Sequence, residues 1–186
     1  MAHVGVIDPE SKEPVVIPVA SGRDGDRIIF HGSTGSRRLM ALKAGAPICA
    51  TVTLIDGIVS ARSPFNSSMN YRSVMAFGVG KVLEGEEKIK ALYAVSERLI
   101  PGLWDAGREQ TAKEYAQTMM VELKLDDVTA KKRSGEANDP DDASLPIWAG
   151  VIPVEMKFGE PITNQDSKHI EVPDYIINFE SNRKTK

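Results

Sequence analysis

The sequence predicts a mainly β protein, an antiparallel barrel with short helices inserted between its strands. Three observations predict it. Six or seven short apolar runs recur along the 186 residues, most of them rich in β-branched side chains. The helical stretches between them are few and short. Strand-to-strand spacing is mostly too short for repeated βαβ units, which removes a doubly wound sheet.

Val15-Val16-Ile17-Pro18-Val19 and Arg27-Ile28-Ile29-Phe30-His31 flank a segment of Gly and Asp turn formers, so they read as a hairpin. Pro18 has no N–H, which predicts an edge or a bulge at that point. A small-residue loop, Gly32-Ser33-Thr34-Gly35-Ser36, then opens a helix over Arg37 to Ala44. Ser36 is its predicted N-cap and Gly45 its C′ residue.

Ile48 to Ile55 forms the next strand. Asp56-Gly57 is a typical hairpin dipeptide, so Ile58 to Ala61 is expected to fold back as a separate strand. Tyr71 to Val82 is a long strand whose glycines imply a bend. Glu86 to Ile100 is an amphipathic helix with Ile89, Leu92, Val95 (or Tyr93), Leu99 and Ile100 on its apolar face. Thr111 and Glu114 have capping-box spacing, and Met120 to Leu125 alternates as a strand should. Residues 131–144 are charged and rich in breakers, which predicts a mobile surface loop. Leu145 to Phe158 is the last strong apolar segment, and 159–186 reads as an irregular tail. The whole, 1–186, is expected to form one domain.

Composition narrows the function. Net charge is −3, from 26 acidic and 23 basic side chains, which argues against a broad nucleic-acid-binding face. Cys49 is the single cysteine, so no internal disulfide, thiolate zinc cluster or CxxC pair can form. His3, His31 and His169 are scattered, and no metal site is expected. Nothing reaches the roughly 18 apolar residues of a membrane helix. Met1 to Pro9 lacks the pattern of a signal peptide, so the cytoplasm is the expected compartment and no membrane partner is expected.

Three segments carry candidate chemistry. In His31 to Arg38 a strand feeds a Gly/Ser loop that opens a helix, where backbone N–H groups and the helix end favour an anion. Arg37 and Arg38 sit in the first turn, where the helix dipole opposes cations by roughly 0.3–1 kcal/mol each. A bound phosphate resolves that conflict through bidentate contacts. An ordinary loop with two solvated arginines is the competing reading. Trp148 lies between small residues and suits a flat ring, or else packs in a core. Asn70, Tyr71, Arg72 and Ser73 enter a long strand and suit a heterocycle edge, or else are solvated. His31 stands next to the loop and is the one candidate for proton donation. With no catalytic triad or carboxylate pair, reactivity is expected to come from a cofactor.

Phe30-His31-Gly32-Ser33 with Ser36-Arg37-Arg38, Ala50 to Leu54 with Asp56-Gly57, Ser68 to Val74 with Phe77-Gly78, and Leu145 to Val151 occur in an informative order. Together they resemble the pyridoxamine 5′-phosphate oxidase-like, FMN-binding split-barrel superfamily. The likeness is strongest to its branch of small bacterial flavin-nucleotide-binding proteins related to nitroimidazole-resistance (Nim) reductases. It runs from Met1 to about Pro161. The resemblance implies an FMN-binding split β-barrel. It implies that Ser36, Arg37 and Arg38, with Ser33, hold the flavin phosphate. It places Trp148 near the flavin of a homodimer whose cofactor lies at the subunit interface. It implicates Val16, Ile17, Phe30 and His31 at the isoalloxazine ring, and Asn70, Tyr71, Arg72 and Ser73 at the flavin or its phosphate.

Two departures accompany the resemblance. The Arg-x-His element of pyridoxamine phosphate oxidases has no counterpart in Gly159 to Asp166, so vitamin B6 oxidation is not expected. Relatives begin with a helix ahead of the first strand, and here that helix is expected to be missing or replaced. The expected function is an FMN-dependent oxidoreductase passing hydride or electrons to a small acceptor, such as a nitroaromatic or a quinone. The alternatives are a flavin-binding or storage module without turnover, and a split barrel that uses haem or a deazaflavin.

Overall fold

Alternation sets the first strand. In β1 (Ala2–Ile7) Ala2, Val4 and Val6 are buried, while His3 and Ile7 face outward. β1 pairs antiparallel with β2 (Pro14–Asp24), which turns through Gly25-Asp26 into β3 (Arg27–Ser33). This computed structural model describes residues 1–8, 10–43 and 45–184, and for 37–39 and 184 the backbone alone. The remaining elements are α1 (Arg37–Lys43), β4 (Pro47–Ser60), β5 (Ser68–Val79), β6 (Lys81–Val82), α2 (Gly85–Leu99), α3 (Leu103–Ala106), α4 (Ala112–Gln117), β7 (Thr118–Lys124), β8 (Asp127–Arg133), β9 (Gly150–Pro153), α5 (Asp174–Ile177) and α6 (Phe179–Lys184). The fold is mainly β and antiparallel with short inserted helices, as the sequence predicts.

Two units make up the chain. The first comprises Met1–Ala50, Ala76–Asp127 and Phe158–Lys186, the second Thr51–Met75 and Val128–Lys157. In the first unit the strand order is β6-β7-β3-β2-β1, with β4 beside β1. Phe30, Val121 and Leu123 are buried on one side of this sheet, Ile29 and Met120 on the other, as alternation requires. Helix α2 covers the second side, where Ile29, Leu83, Ala91, Leu92, Val95 and Met120 form a core cluster. In the second unit β4 lies between β5 and β9, and β8 follows β5.

The apolar face of α2 differs from the expected one. Ala91, Leu92 and Val95 are buried, whereas Ile89, Tyr93 and Leu99 are exposed. Small Ala91 lets the helix approach the sheet, and Tyr93 instead meets Trp104 edge-on, with ring centroids 5.6 Å apart. The capping box of α4 forms as predicted. Glu114 N–H donates to Thr111 Oγ1 at 3.2 Å, and Thr111 N–H donates to Glu114 Oε2 at 2.9 Å. Arg108 and these Thr111 contacts push the Glu114 carboxyl down to about 2.

Asp56-Gly57 does not turn. β4 runs unbroken from Pro47 to Ser60, and Gly57 pairs with Pro153 of β9. A Cβ on Gly57 would lie 2.9 Å from Val151 Cγ1, so glycine serves close strand approach here. Residues 131–144 are not all loop: β8 extends through Arg133, and Asp139 is buried against Arg62. Arg62 donates from Nη1 to Asp139 at 2.8 Å and from its backbone N–H at 2.7 Å. The tail is not wholly irregular either, since α5 and α6 form within it. The rings of Phe158 and Phe179 meet edge-on at 5.0 Å, and Arg183 donates to the Leu99 carbonyl at 3.3 Å. Long-range contacts of this kind leave no periodic trace in a sequence.

One ion-pair network joins β2, β3, β6, β7 and α2 of the first unit, with Arg27 paired to Asp24, Glu87 and Glu122. Glu122 is buried, and Arg27 donates to it at 2.6 Å while Lys81 approaches to 3.3 Å. Burial alone raises the Glu122 pKa; the hydrogen bonds from Arg27 and Lys81 outweigh it and hold the group below its ordinary range. Its contribution to stability is therefore present above about pH 4.5 and fades as pH falls through the lowered folded value. Glu122→Ala is expected to cost about 3 kcal/mol at neutral pH, because Arg27 would lose a desolvated partner. In urea unfolding, the gap between wild type and variant should shrink as pH falls below the ordinary glutamate value and through the lowered folded one.

Candidate functional site

The strand β3 delivers the first group of candidate residues. Phe30 pairs with Ser21 and Val121, and His31 with Ala20 and Met120. Both residues thus lie between two partner strands, and their backbone polar groups face ladders on either side. The Phe30 side chain is fully buried, and the His31 imidazole is exposed at its outer edge. What His31 offers a ligand is its ring. Packing around that ring desolvates it and lowers its pKa from the ordinary 6.5, so the neutral form dominates at pH 7. Among the described residues the ring makes no hydrogen bond.

Val16 and Ile17 are placed differently. In β2 they pair with Gly5 and Val4 of β1, and the β2–β3 register begins only at Ala20. Among the described registers they are paired on one side only. Pro18, which pairs with His3, lies in the same one-sided stretch, as its missing N–H demands. This segment therefore carries backbone groups without a partner strand on its second side among the described registers.

The loop after β3 is held by its own bonds. Gly35 N–H donates to Ser33 Oγ at 3.1 Å and Ser36 N–H to the Ser33 carbonyl at 3.0 Å. Thr34 gives both its N–H and its hydroxyl to the Gln117 carbonyl, at 2.9 and 3.2 Å. Three backbone N–H groups that the sequence offers to an anion are therefore already used. The Ser36 carbonyl accepts from Met40 N–H at 3.0 Å, which starts α1 where predicted. Gly45 ends it, with φ of 76° and a bond from its N–H to the Leu42 carbonyl at 3.2 Å. Arg37 and Arg38 open the helix; their side chains lie outside the described residues.

The second unit carries the other candidates. Asn70 is 7% exposed and spent on the protein: its Nδ2 donates to the Gly135 carbonyl at 2.9 Å and its Oδ1 accepts from Arg133 at 2.7 Å. Arg72 makes a two-pronged pair with Asp56, at 2.8 and 3.0 Å. That pairing lowers the Asp56 pKa and raises that of Arg72. Ser73 and Thr53 share a hydroxyl hydrogen bond of 2.9 Å. Tyr71 is half-buried beside them. Three of these four polar side chains thus already have protein partners. Sequence reading missed those partners, because Asp56 reads as a turn residue and Arg133 as part of a loop.

Trp148 is 65% exposed, just before β9. Its indole lies over Gly150, where a Cβ would stand 2.7 Å from the ring. The six-membered ring of the indole is thereby held against the Gly150 backbone, while most of the side chain is exposed. Gly150→Val is expected to push the indole away. In a Trp104→Phe background, the remaining Trp148 emission should shift to the red; an unchanged spectrum would contradict this packing.

Comparison with known proteins places this geometry. The protein-family model described as pyridoxamine 5′-phosphate oxidase matches residues 1–132. No curated protein matches the chain. Among solved structures, an FAD- and haem-binding protein of Mycobacterium smegmatis is 37% identical with a TM-score of 0.90, over 95% of this chain and 87% of that one. The flavocytochrome Anf3 of Azotobacter vinelandii is 36% identical with a TM-score of 0.88, over 95% of this chain and 83% of that one. A 5-nitroimidazole antibiotic resistance protein, so described as putative, from Bacteroides thetaiotaomicron is 20% identical with a TM-score of 0.52, over 69% of this chain and 74% of that one; it shows likeness of fold alone. The chain belongs to the pyridoxamine 5′-phosphate oxidase family and shares its split-barrel fold.

Proposed function

We propose that this protein is a flavin- and haem-binding redox protein, with FAD rather than FMN as its flavin. The observation that carries the reading is the pair of relatives above 35% identity, one named for FAD and haem and the other a flavocytochrome. This favours the haem-using alternative over the plain FMN oxidoreductase. The chain's own residues fit both groups. The one-sided Val16-Ile17 backbone suits a flavin ring, and Ser33, Ser36, Arg37 and Arg38 suit its phosphate. His31 supplies a neutral imidazole without a hydrogen-bond partner among the described residues, which is the donor chemistry a haem iron takes.

When bound, the flavin would supply hydride or electron transfer and the haem one-electron chemistry. The protein's part is to bind, orient and exclude. Arg37 and Arg38 would neutralise phosphate charge. Trp148 would present a rigid apolar plane. Exposed Ile147, Ile152 and Met156 stand near it in the chain, and we read this apolar surface as the seat of a second copy, giving a homodimer. The whole chain, 1–186, would then act as one cofactor-binding domain, and a small organic molecule would be the electron acceptor.

The absorption spectrum of the purified protein tests the proposal. Flavin bands together with a haem Soret band are expected, and His31→Ala should alter the Soret band while keeping the flavin bands. Protein that takes up neither FAD nor haemin would overturn it. Steady-state NAD(P)H oxidation with nitroaromatic and quinone acceptors separates an enzyme from a binding module.

A further inference from the structure

A cavity of about 300 Å³ adjoins the loop that follows β3, and its wall includes Thr34 of that loop. Met40 and Lys43 of α1, Lys88 of α2 and Met119 of β7 also line it. The mixture is specific in kind: an apolar floor with two ammonium groups at its edge. Lys43 makes no ion pair among the described residues. Lys88 lies with its Nζ 4.0 Å from the centre of the Tyr115 ring and donates one hydrogen bond, to the Tyr115 carbonyl at 2.7 Å. Two of its three N–H groups are left for a ligand. Burial lowers the Lys88 pKa, so a nearby anion would be favoured. The acid at this rim is Glu84, which leaves one net positive charge.

A wider groove of about 500 Å³, by Arg27, Tyr93 and Trp104, lacks this feature. Its arginine is already shared among Asp24, Glu87 and Glu122. The cavity by Thr34 is at the small end of ligand pockets, which run from about 300 Å³ upward. It is too small for a whole dinucleotide and large enough for one end of it.

We propose that this cavity receives the adenylate half of FAD, with Lys43 and Lys88 on its phosphate and the Met40–Met119 surface against its base. The inference rests on the flavin reading above and names the residues that separate FAD from FMN. The phosphate nearest the flavin ring would stay with Arg37 and Arg38. The second phosphate, joined to the first through a bridging oxygen, would pass into the cavity beside Thr34.

The test is equilibrium binding of FAD and of FMN to full-length protein stripped of flavin, followed by flavin fluorescence. Wild type should bind FAD at least about tenfold more tightly than FMN, a difference of about 1.4 kcal/mol. Lys43→Glu combined with Lys88→Ala should erase that preference while FMN affinity stays within about twofold. Lys43→Glu alone, at an exposed position, serves if the double variant does not fold, and should reduce the preference in part. A variant that weakens FMN and FAD equally overturns the inference. So does wild type that binds FMN and FAD alike, with the flavin reading intact. If AMP and NADH bind the FMN-loaded protein through Lys43 and Lys88 while the FAD preference is unchanged, the cavity serves a donor nucleotide instead. Wild type that binds no flavin overturns both readings.

Discussion

Reversing the charge of Arg37 and Arg38 together, to Glu, is expected to reduce flavin affinity by at least about a hundredfold without unfolding the protein. The physical reason lies in the loop before them. Thr34, Gly35 and Ser36 spend their backbone N–H groups on Gln117 and Ser33, so the loop itself offers a phosphate little. On the proposed reading, the two guanidinium groups would carry the anion. Hydrogen bonds to charged groups contribute about 1.5–3 kcal/mol each, and the reversal adds repulsion to their loss. Helix α1 should persist, because its start on the Ser36 carbonyl and its stop at Gly45 need neither side chain. Isothermal titration with FAD gives the affinity, and circular dichroism checks the fold. Unchanged affinity would place the phosphate elsewhere.

The second large effect concerns stability. Phe30→Ala should destabilise the protein by about 3–5 kcal/mol, since the ring is fully buried on the side of the sheet opposite α2. Against a typical total of about 5–15 kcal/mol, that loss would lower the melting temperature strongly. Phe30→Leu should recover much of the stability, and its flavin affinity should match wild type because the ring is enclosed by the protein's own core. Denaturant unfolding and flavin titration on the two variants separate packing from binding. A Leu variant that folds well and loses flavin would mean that the Phe30 ring belongs to the site.

The fold was legible because its signals are local. Alternation marked β7, the Gly/Asp cluster marked the β2–β3 turn, and Thr111 with Glu114 marked the start of α4. The failures share one cause, which is dependence on distant partners. Asp56-Gly57 looks like a hairpin turn until β9 is seen to lie on it, with Val151 filling the space a Cβ would need. Asp139 looks like a solvated loop acid until Arg62 is placed on it. The site divides in the same way. The loop at Gly32 to Ser36 and the indole of Trp148 stood out as candidates through their small-residue neighbours. The occupation of Asn70 by Gly135 and Arg133, and of Arg72 by Asp56, did not. Lys43 and Lys88 stand 45 positions apart in the sequence, and only the packing of α1 and α2 around β7 brings them to one cavity.

His31 shows how structure sharpens a sequence reading. Position alone suggested proton donation. Desolvation lowers its pKa, so at pH 7 the ring is chiefly neutral and a weak source of protons. A neutral imidazole suits the haem-ligand role proposed above better than acid catalysis.

The most direct measurement is denaturing release of bound small molecules from the purified, full-length protein, identified and counted by mass spectrometry. FAD and haem b, each approaching one per chain after reconstitution, are the predicted result. Protein that yields neither after exposure to FAD, FMN and haemin would contradict the account.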